Sequence, residues 1–188
     1  MTIDSREVLS RPAPEPDATM AYGGLPDQVA EVRFPVGDGR PKAVVVFLHG
    51  GFWRDAYDRI HTRPLSVGLA DAGYLVVTPE YRRTGAAGGG WPDTFADVAA
   101  AVAAVPALLT NLGVPVDVPI VVAGHSAGGQ LALWVASAEA GRAYPAMAAV
   151  SLAGVVALAP VADLRAAHEL DLDQGAVAAL LGGGPDVY

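Results

Sequence analysis

The sequence predicts an α/β domain, a three-layer α/β/α sandwich around a mostly parallel sheet, on three observations. Strand and helix signals alternate from residue 29 onward, and the run AVVVFL at 43–48 is continuously apolar, as in a central strand buried on both faces. Of the 188 residues 52% are hydrophobic and only 17% charged, so most of the chain is destined for buried layers. A chain of this length holds one core. The expected organisation is an N-terminal arm over residues 1–28 followed by one domain over 29–188. Within the arm, Met1–Asp17 has three prolines among charges and lacks the apolar run of a signal peptide.

Each element has its own signal. Val29–Val36 (VAEVRFPV) alternates weakly, and a Gly37-Asp38-Gly39 turn leads into Ala43–Leu48, so the two are expected to pair as an antiparallel hairpin at the sheet edge. Arg63–Ala72 reads as a short helix closed by Gly73, and Tyr74–Thr78 as a strand ended by Pro79. After a glycine-rich loop at Gly85–Gly90, Pro92 opens a helix in which Phe95, Val98, Val102, Val105 and Leu109 recur at three-to-four spacing. Pro106 is expected to kink or restart that helix. Ile120–Ala123 reads as a strand, Ala127–Ala140 as a helix, Leu152–Ala159 as a strand and Asp171–Leu181 as a helix. The uncharged stretch Ala143–Ala162 is long enough for a membrane span, but Pro145, Ser151, Gly154 and Pro160 interrupt it, and a buried strand fits better.

Composition excludes several chemistries. Without cysteine there is no disulfide scaffold, no thiolate nucleophile and no Cys-based zinc site. Twelve basic against 20 acidic residues give −8, which argues against a nucleic-acid partner. No membrane partner is expected, and a cytoplasmic location is. Lys42, the only lysine, is the one Schiff-base candidate and sits next to a turn. Arg54, Arg82 and Arg83 stand near strand ends, where they either meet a substrate carboxylate or are paired or solvated.

Two motifs carry chemistry. The strand VPIVVAG runs into Gly124-His125-Ser126-Ala127-Gly128 and then into a helix-forming run, which is G-x-S-x-G in a strand–turn–helix context. The flanking glycines are needed where a Cβ would strike the neighbouring strand or helix, and the strained turn lifts the Ser126 Oγ clear of the sheet. As a plain helix N-cap, Ser126 would not need glycines on both sides. The second motif is His49-Gly50-Gly51-Phe52-Trp53, directly after AVVVFL. Its amides, from Gly51 or Phe52, together with that of Ala127 at a helix N-terminus, would hold the oxygen of a tetrahedral intermediate. His49 reads as a brace for the loop rather than as a base. Phe52, Trp53 and Trp91 either line a pocket or pack against the sheet. A dinucleotide site is disfavoured, because Gly85–Gly90 does not join a first strand to a helix.

HGGFW at 49–53, VTPEYR at 77–82 and GHSAGG at 124–129 make the chain resemble the α/β-hydrolase fold. Within it the resemblance is to the hormone-sensitive-lipase-like esterases and lipases and to the kynurenine formamidases. It implies Ser126 as nucleophile and Gly51, Phe52 and Ala127 as oxyanion amides. It further implies hydrolysis of small carboxylic esters or of N-formyl amides such as N-formylkynurenine, without metal or organic cofactor. The pattern departs from the family after the nucleophile. In this fold an acid and then a histidine follow the serine on later loops, whereas the only histidine after Ser126 is His168. Two readings stay open. Either Asp163 and His168 act as acid and base despite lying only five residues apart, or the fold's last strands lie outside this chain and the two are loop and surface residues. In the second case the fold is C-terminally incomplete and exposes a strand edge, which a second copy or a complementing C-terminal segment would cover. The chain would then be either an enzyme completed by that segment or a non-catalytic hydrolase-like fragment. His125 is expected to point away from the Ser126 Oγ and pack under the oxyanion loop, and His61 to lie far from any motif.

Overall fold

The computed structural model describes residues 5–37, 39–85 and 88–185. Expectations touching Asp38, Ala86, Ala87 and the two chain ends therefore lie partly outside the described residues. Six strands form one sheet: β1 (Ala18–Ala21), β2 (Val29–Arg33), β3 (Val44–Leu48), β4 (Leu75–Pro79), β5 (Ile120–His125) and β6 (Leu152–Leu158), in the spatial order β1-β2-β4-β3-β5-β6. The four strands from β4 to β6 are parallel, while β1 and β2 add an antiparallel margin. All five residues of β3 and of β4 are buried.

That burial corrects the expected hairpin. β2 pairs with β4, with Val32 opposite Val77, and β3 lies between β4 and β5. Two strands apolar on both faces both need interior positions, so the equally apolar β4 takes the place beside β3 and leaves the weakly alternating β2 outside it. β2 is in turn covered by β1. Residues 18–21, assigned on sequence to the arm, thus belong to the sheet.

Helices cover both faces. On one side α2 (Asp93–Asn111) and α3 (Ala127–Val135) bury Phe95, Val98, Val102, Leu109 and Leu131 against Val44, Val46 and Leu48 in the main core. On the other, α1 (Arg63–Asp71) sets Leu69 on a small cluster of Val45, Phe47, Val76 and Ala123. α2 is long and apolar enough by length and composition to cross a membrane, but its stripe faces this core. It runs on through Pro106 instead of restarting, because buried Val105 and Leu109 hold the helix on both sides of the proline.

The predicted helix 127–140 is two helices. Ser137, in extended backbone, accepts the Ala140 amide at 3.1 Å and starts α4 (Ala138–Ala143), and a short α5 (Pro145–Ala148) follows. The predicted helix 171–181 is also shortened. Asp171, Asp173 and Gln174 adopt left-handed φ of 49°, 47° and 53°, which no α-helix accommodates. What forms instead is α6 (Leu164–Glu169), a loop, and α7 (Ala176–Leu181). β6 stands at the sheet edge with Val156 and Leu158 nearly half exposed.

Candidate active site

The site forms where β3 and β5 end side by side. Leu48 lies opposite Gly124 in the parallel ladder, so the loop after β3 and the turn after β5 emerge together. At that turn Ser126 has φ 54° and ψ −117°, a conformation L-residues rarely adopt. The surroundings hold it there: the Ser126 amide donates to the Leu158 carbonyl at 2.9 Å, and its carbonyl accepts from Gln130 and Val161. The glycine requirement read from the sequence is met in space. A Cβ on Gly124 would come within 2.1 Å of the Gly128 carbonyl oxygen, and one on Gly128 within 2.1 Å of the Leu48 carbonyl oxygen. Buried Ala127 starts α3 directly after the serine.

The loop after β3 approaches equally closely. A Cβ on Gly50 would lie 3.3 Å from the Ser126 Cβ and 2.9 Å from the His125 carbonyl oxygen. Gly51, Phe52 and Trp53 then take three successive left-handed conformations, with φ of 110°, 55° and 57°. Two of these are non-glycine residues, so the loop is strained and must be held from outside.

The clamp comes from the end of β4. His49 is fully buried; its Nδ1 lies 2.8 Å from the Gly50 carbonyl oxygen and its Nε2 2.7 Å from the Glu80 Oε1. Both ring nitrogens are engaged within the protein, which fits the bracing role. Its face stacks on Tyr81 with centroids 4.4 Å apart, and the Tyr81 hydroxyl donates to the His49 carbonyl at 2.8 Å. Thr84 donates from its amide to the Trp53 carbonyl at 2.7 Å. Burial by itself would raise the Glu80 carboxyl, but the hydrogen bond and charge of His49, the Arg83 guanidinium and the Arg59 amide carry it down to about 2. Glu80 is therefore a carboxylate at neutral pH.

The arginines near the strand ends are all engaged within the protein. Arg54 pairs with Asp173 at 2.6 Å, Arg82 with Asp97 at 2.8 Å, and Arg83 with Glu80 and Asp27 at 3.4 and 3.3 Å. Lys42 lies over the Tyr74 ring. Among the described residues no group of three or more His, Asp or Glu side chains is arranged to hold a metal ion.

A cavity of about 630 Å³ opens over Ser126, with Gly50, Gly51 and Phe52 on its wall. Trp53 points the other way, into the core, and is fully buried. Two histidines sit where the sequence reading did not put them. His125 is exposed and lines the cavity instead of packing under the loop. His61 lines it too, edge-on to His49 at 5.8 Å, and burial together with the neighbouring His49 lowers its pKa below 6.5. Nothing local in the sequence marks His61, because it is the fold of the 3-10 turn at Arg59–Thr62 that carries it there.

The structure does not bring Asp163 and His168 to the nucleophile. The Asp163 Oδ1 accepts the Ala166 amide at 2.9 Å as the N-cap of α6, and His168 is exposed in the last turn of that helix. Neither lines the cavity. Among the described residues, no histidine is hydrogen-bonded to the Ser126 hydroxyl.

Against this geometry, three comparisons bear on identity. The family model BD-FAE matches residues 31–186. Over 118 residues, 61% of this chain, the sequence is 34% identical to a Mycobacterium tuberculosis protein named "Probable carboxylic ester hydrolase LipM". The chain spans about a quarter of that relative's length, 27%. Esterase B of Lactobacillus rhamnosis superposes with a TM-score of 0.74 at 22% identity, covering 96% of this chain and 62% of that one. An esterase of Thermogutta terrifontis gives a TM-score of 0.65 at 21% identity over 94% of this chain and 67% of its own. The sheet order and flanking helices are those of the α/β-hydrolase fold these esterases share.

Proposed function

We propose that this chain, which belongs to the BD-FAE family, carries the nucleophile and oxyanion half of a serine hydrolase that cleaves small carboxylic esters. The observation that carries the reading is the strained Ser126 at the mouth of one cavity with Gly50, Gly51 and Phe52. In the reaction Oγ attacks the ester carbonyl carbon, and the carbonyl oxygen becomes an oxyanion held by the Ala127 amide and by one from Gly51 or Phe52. Collapse expels the alcohol, which takes a proton, and leaves an acyl group on Ser126. Water then attacks the acyl carbon, releases the carboxylic acid and returns a proton to Oγ.

Both proton transfers need a base with an orienting acid. Asp163 and His168 are held elsewhere, so we assign these roles to residues outside this chain, continuous with it or on a complementing segment. That the chain spans 62% of esterase B supports this assignment. N-formyl aromatic amides are the second substrate class, favoured by Phe52 and Tyr57 in the cavity wall. Comparing rates on a butyrate ester and on N-formylkynurenine, with the completed enzyme, separates the two.

The nucleophile is tested with a fluorophosphonate and peptide mapping, at neutral pH and at raised pH, where hydroxide stands in for the base. The expected result is an adduct on Ser126, growing with pH and absent from Ser126→Ala. A chain that stays unmodified throughout, or an adduct that survives the substitution, overturns the reading.

A further inference from the structure

Part of the cavity wall comes from a segment remote in sequence. Val8 and Leu9 end a 3-10 turn over Ser5–Leu9 and line the same cavity as Ser126, Phe52 and Leu65. Single exposed apolar side chains are ordinary, but these two are adjacent, about half exposed at 51% and 42%, and border the space over the nucleophile.

Their position is held from behind. Buried Arg33 donates to the Pro14 carbonyl at 2.7 Å and to the Ser66 Oγ at 3.2 Å, so its guanidinium joins the segment to α1. Arg63, paired with Glu31, also reaches Glu15 at 2.7 Å. The Asp17 carboxylate takes the Phe34 amide at 2.7 Å, immediately before β1 enters the sheet. A buried guanidinium is costly to leave without acceptors. Residues 14–17 are therefore pinned, and Val8 and Leu9, a few residues before them, line the cavity.

We infer that Val8 and Leu9 form the distal wall of an acyl-chain subsite, which makes the N-terminal segment a specificity determinant for medium-length aliphatic esters. The inference rests on the reading of Ser126 as acyl acceptor. With the reacting carbonyl held between Ser126 and the oxyanion loop, an acyl chain long enough to meet Val8 and Leu9 covers their exposed carbons, and one too short to meet them does not. The segment thus discriminates by chain length and leaves the carbonyl chemistry alone.

Two methyl ketones of different length, 2-heptanone and 2-undecanone, test this by ligand-observed NMR titration of the full chain and of its Val8→Ser/Leu9→Ser variant. Ketones have no leaving group, so binding is read whether or not Ser126 forms an acyl-enzyme, and the fluorophosphonate result stands or falls separately. Both side chains are half exposed, so the double substitution leaves the core intact, which circular dichroism checks. The expected result is about tenfold weaker binding of 2-undecanone and less than about twofold weaker binding of 2-heptanone. Equal losses for both ketones, no loss for either, or no saturable binding of 2-undecanone to the unaltered chain overturns the proposal.

Discussion

The loop after β3 and the segment after β6 both border the outlet of the sheet near Ser126, yet they are held by opposite means. Residues 49–53 are strained, and buried charge secures them: His49 on Glu80, Glu80 on Arg59 and Arg83, and Tyr81 against the His49 ring. Residues 163–175 are mostly exposed, and their contacts include helix caps, left-handed turns and the partly exposed ion pair of Arg54 with Asp173. A catalytic group must be over-determined by its neighbours to keep a productive geometry. The first region meets that requirement through buried charge.

The widest gap between the two should open on replacing Glu80. Glu80→Gln removes the carboxylate from a buried cluster and leaves Arg59 and Arg83 short of a counter-charge, for an expected loss of about 3 kcal/mol in urea unfolding. Fluorophosphonate labelling of Ser126 should slow with it as the loop loosens. The same carboxylate sets an acid dependence. Its folded-state pKa lies below the ordinary 4.5, so its contribution is complete above that pH and is lost as pH falls toward about 2. Stability measured across that window should decline more steeply in the native chain than in Glu80→Gln, and parallel curves would refute the clamp.

In the other region the expected effects are smaller and purely structural. Asp163→Ala forfeits one N-cap and should cost about 1 kcal/mol, with the rate of Ser126 labelling unchanged. His168→Ala, at an exposed position, should stay within about 0.5 kcal/mol of the native chain, again with labelling unaltered. A severalfold drop in labelling for either variant would mean that the segment reaches the nucleophile in solution, and the contrast between the regions would collapse.

Legibility in the sequence follows the range of the interactions involved. Ser126 and the His49–Trp53 loop could be read because their signals are local: glycines flanking a strained serine, and consecutive glycines after a wholly apolar strand. The bracing role of His49 was readable for the same reason, although its partner Glu80 lies 31 residues away and was visible only as part of a motif. The pairing of β2 was not readable, since it depends on how two equally apolar strands, β3 and β4, compete for interior positions. His61 escaped because its neighbours carry no pattern, and only the turn at 59–62 delivers it to the cavity. The break at Ser137 was hidden by alanine-rich sequence on both sides, where one side-chain hydrogen bond decides between a single helix and two.

Trp53 gives the clamp an optical signature. Its indole is fully buried at the hinge of the strained loop, whereas Trp91 is 40% exposed and Trp134 sits edge-on between Phe95 and Tyr144. Of the three tryptophans in the chain, Trp53 is the one that lies within residues 49–53. Release of the loop moves that indole from an apolar to an aqueous surrounding and shifts its emission to the red, while the other two continue to report on the helical layer.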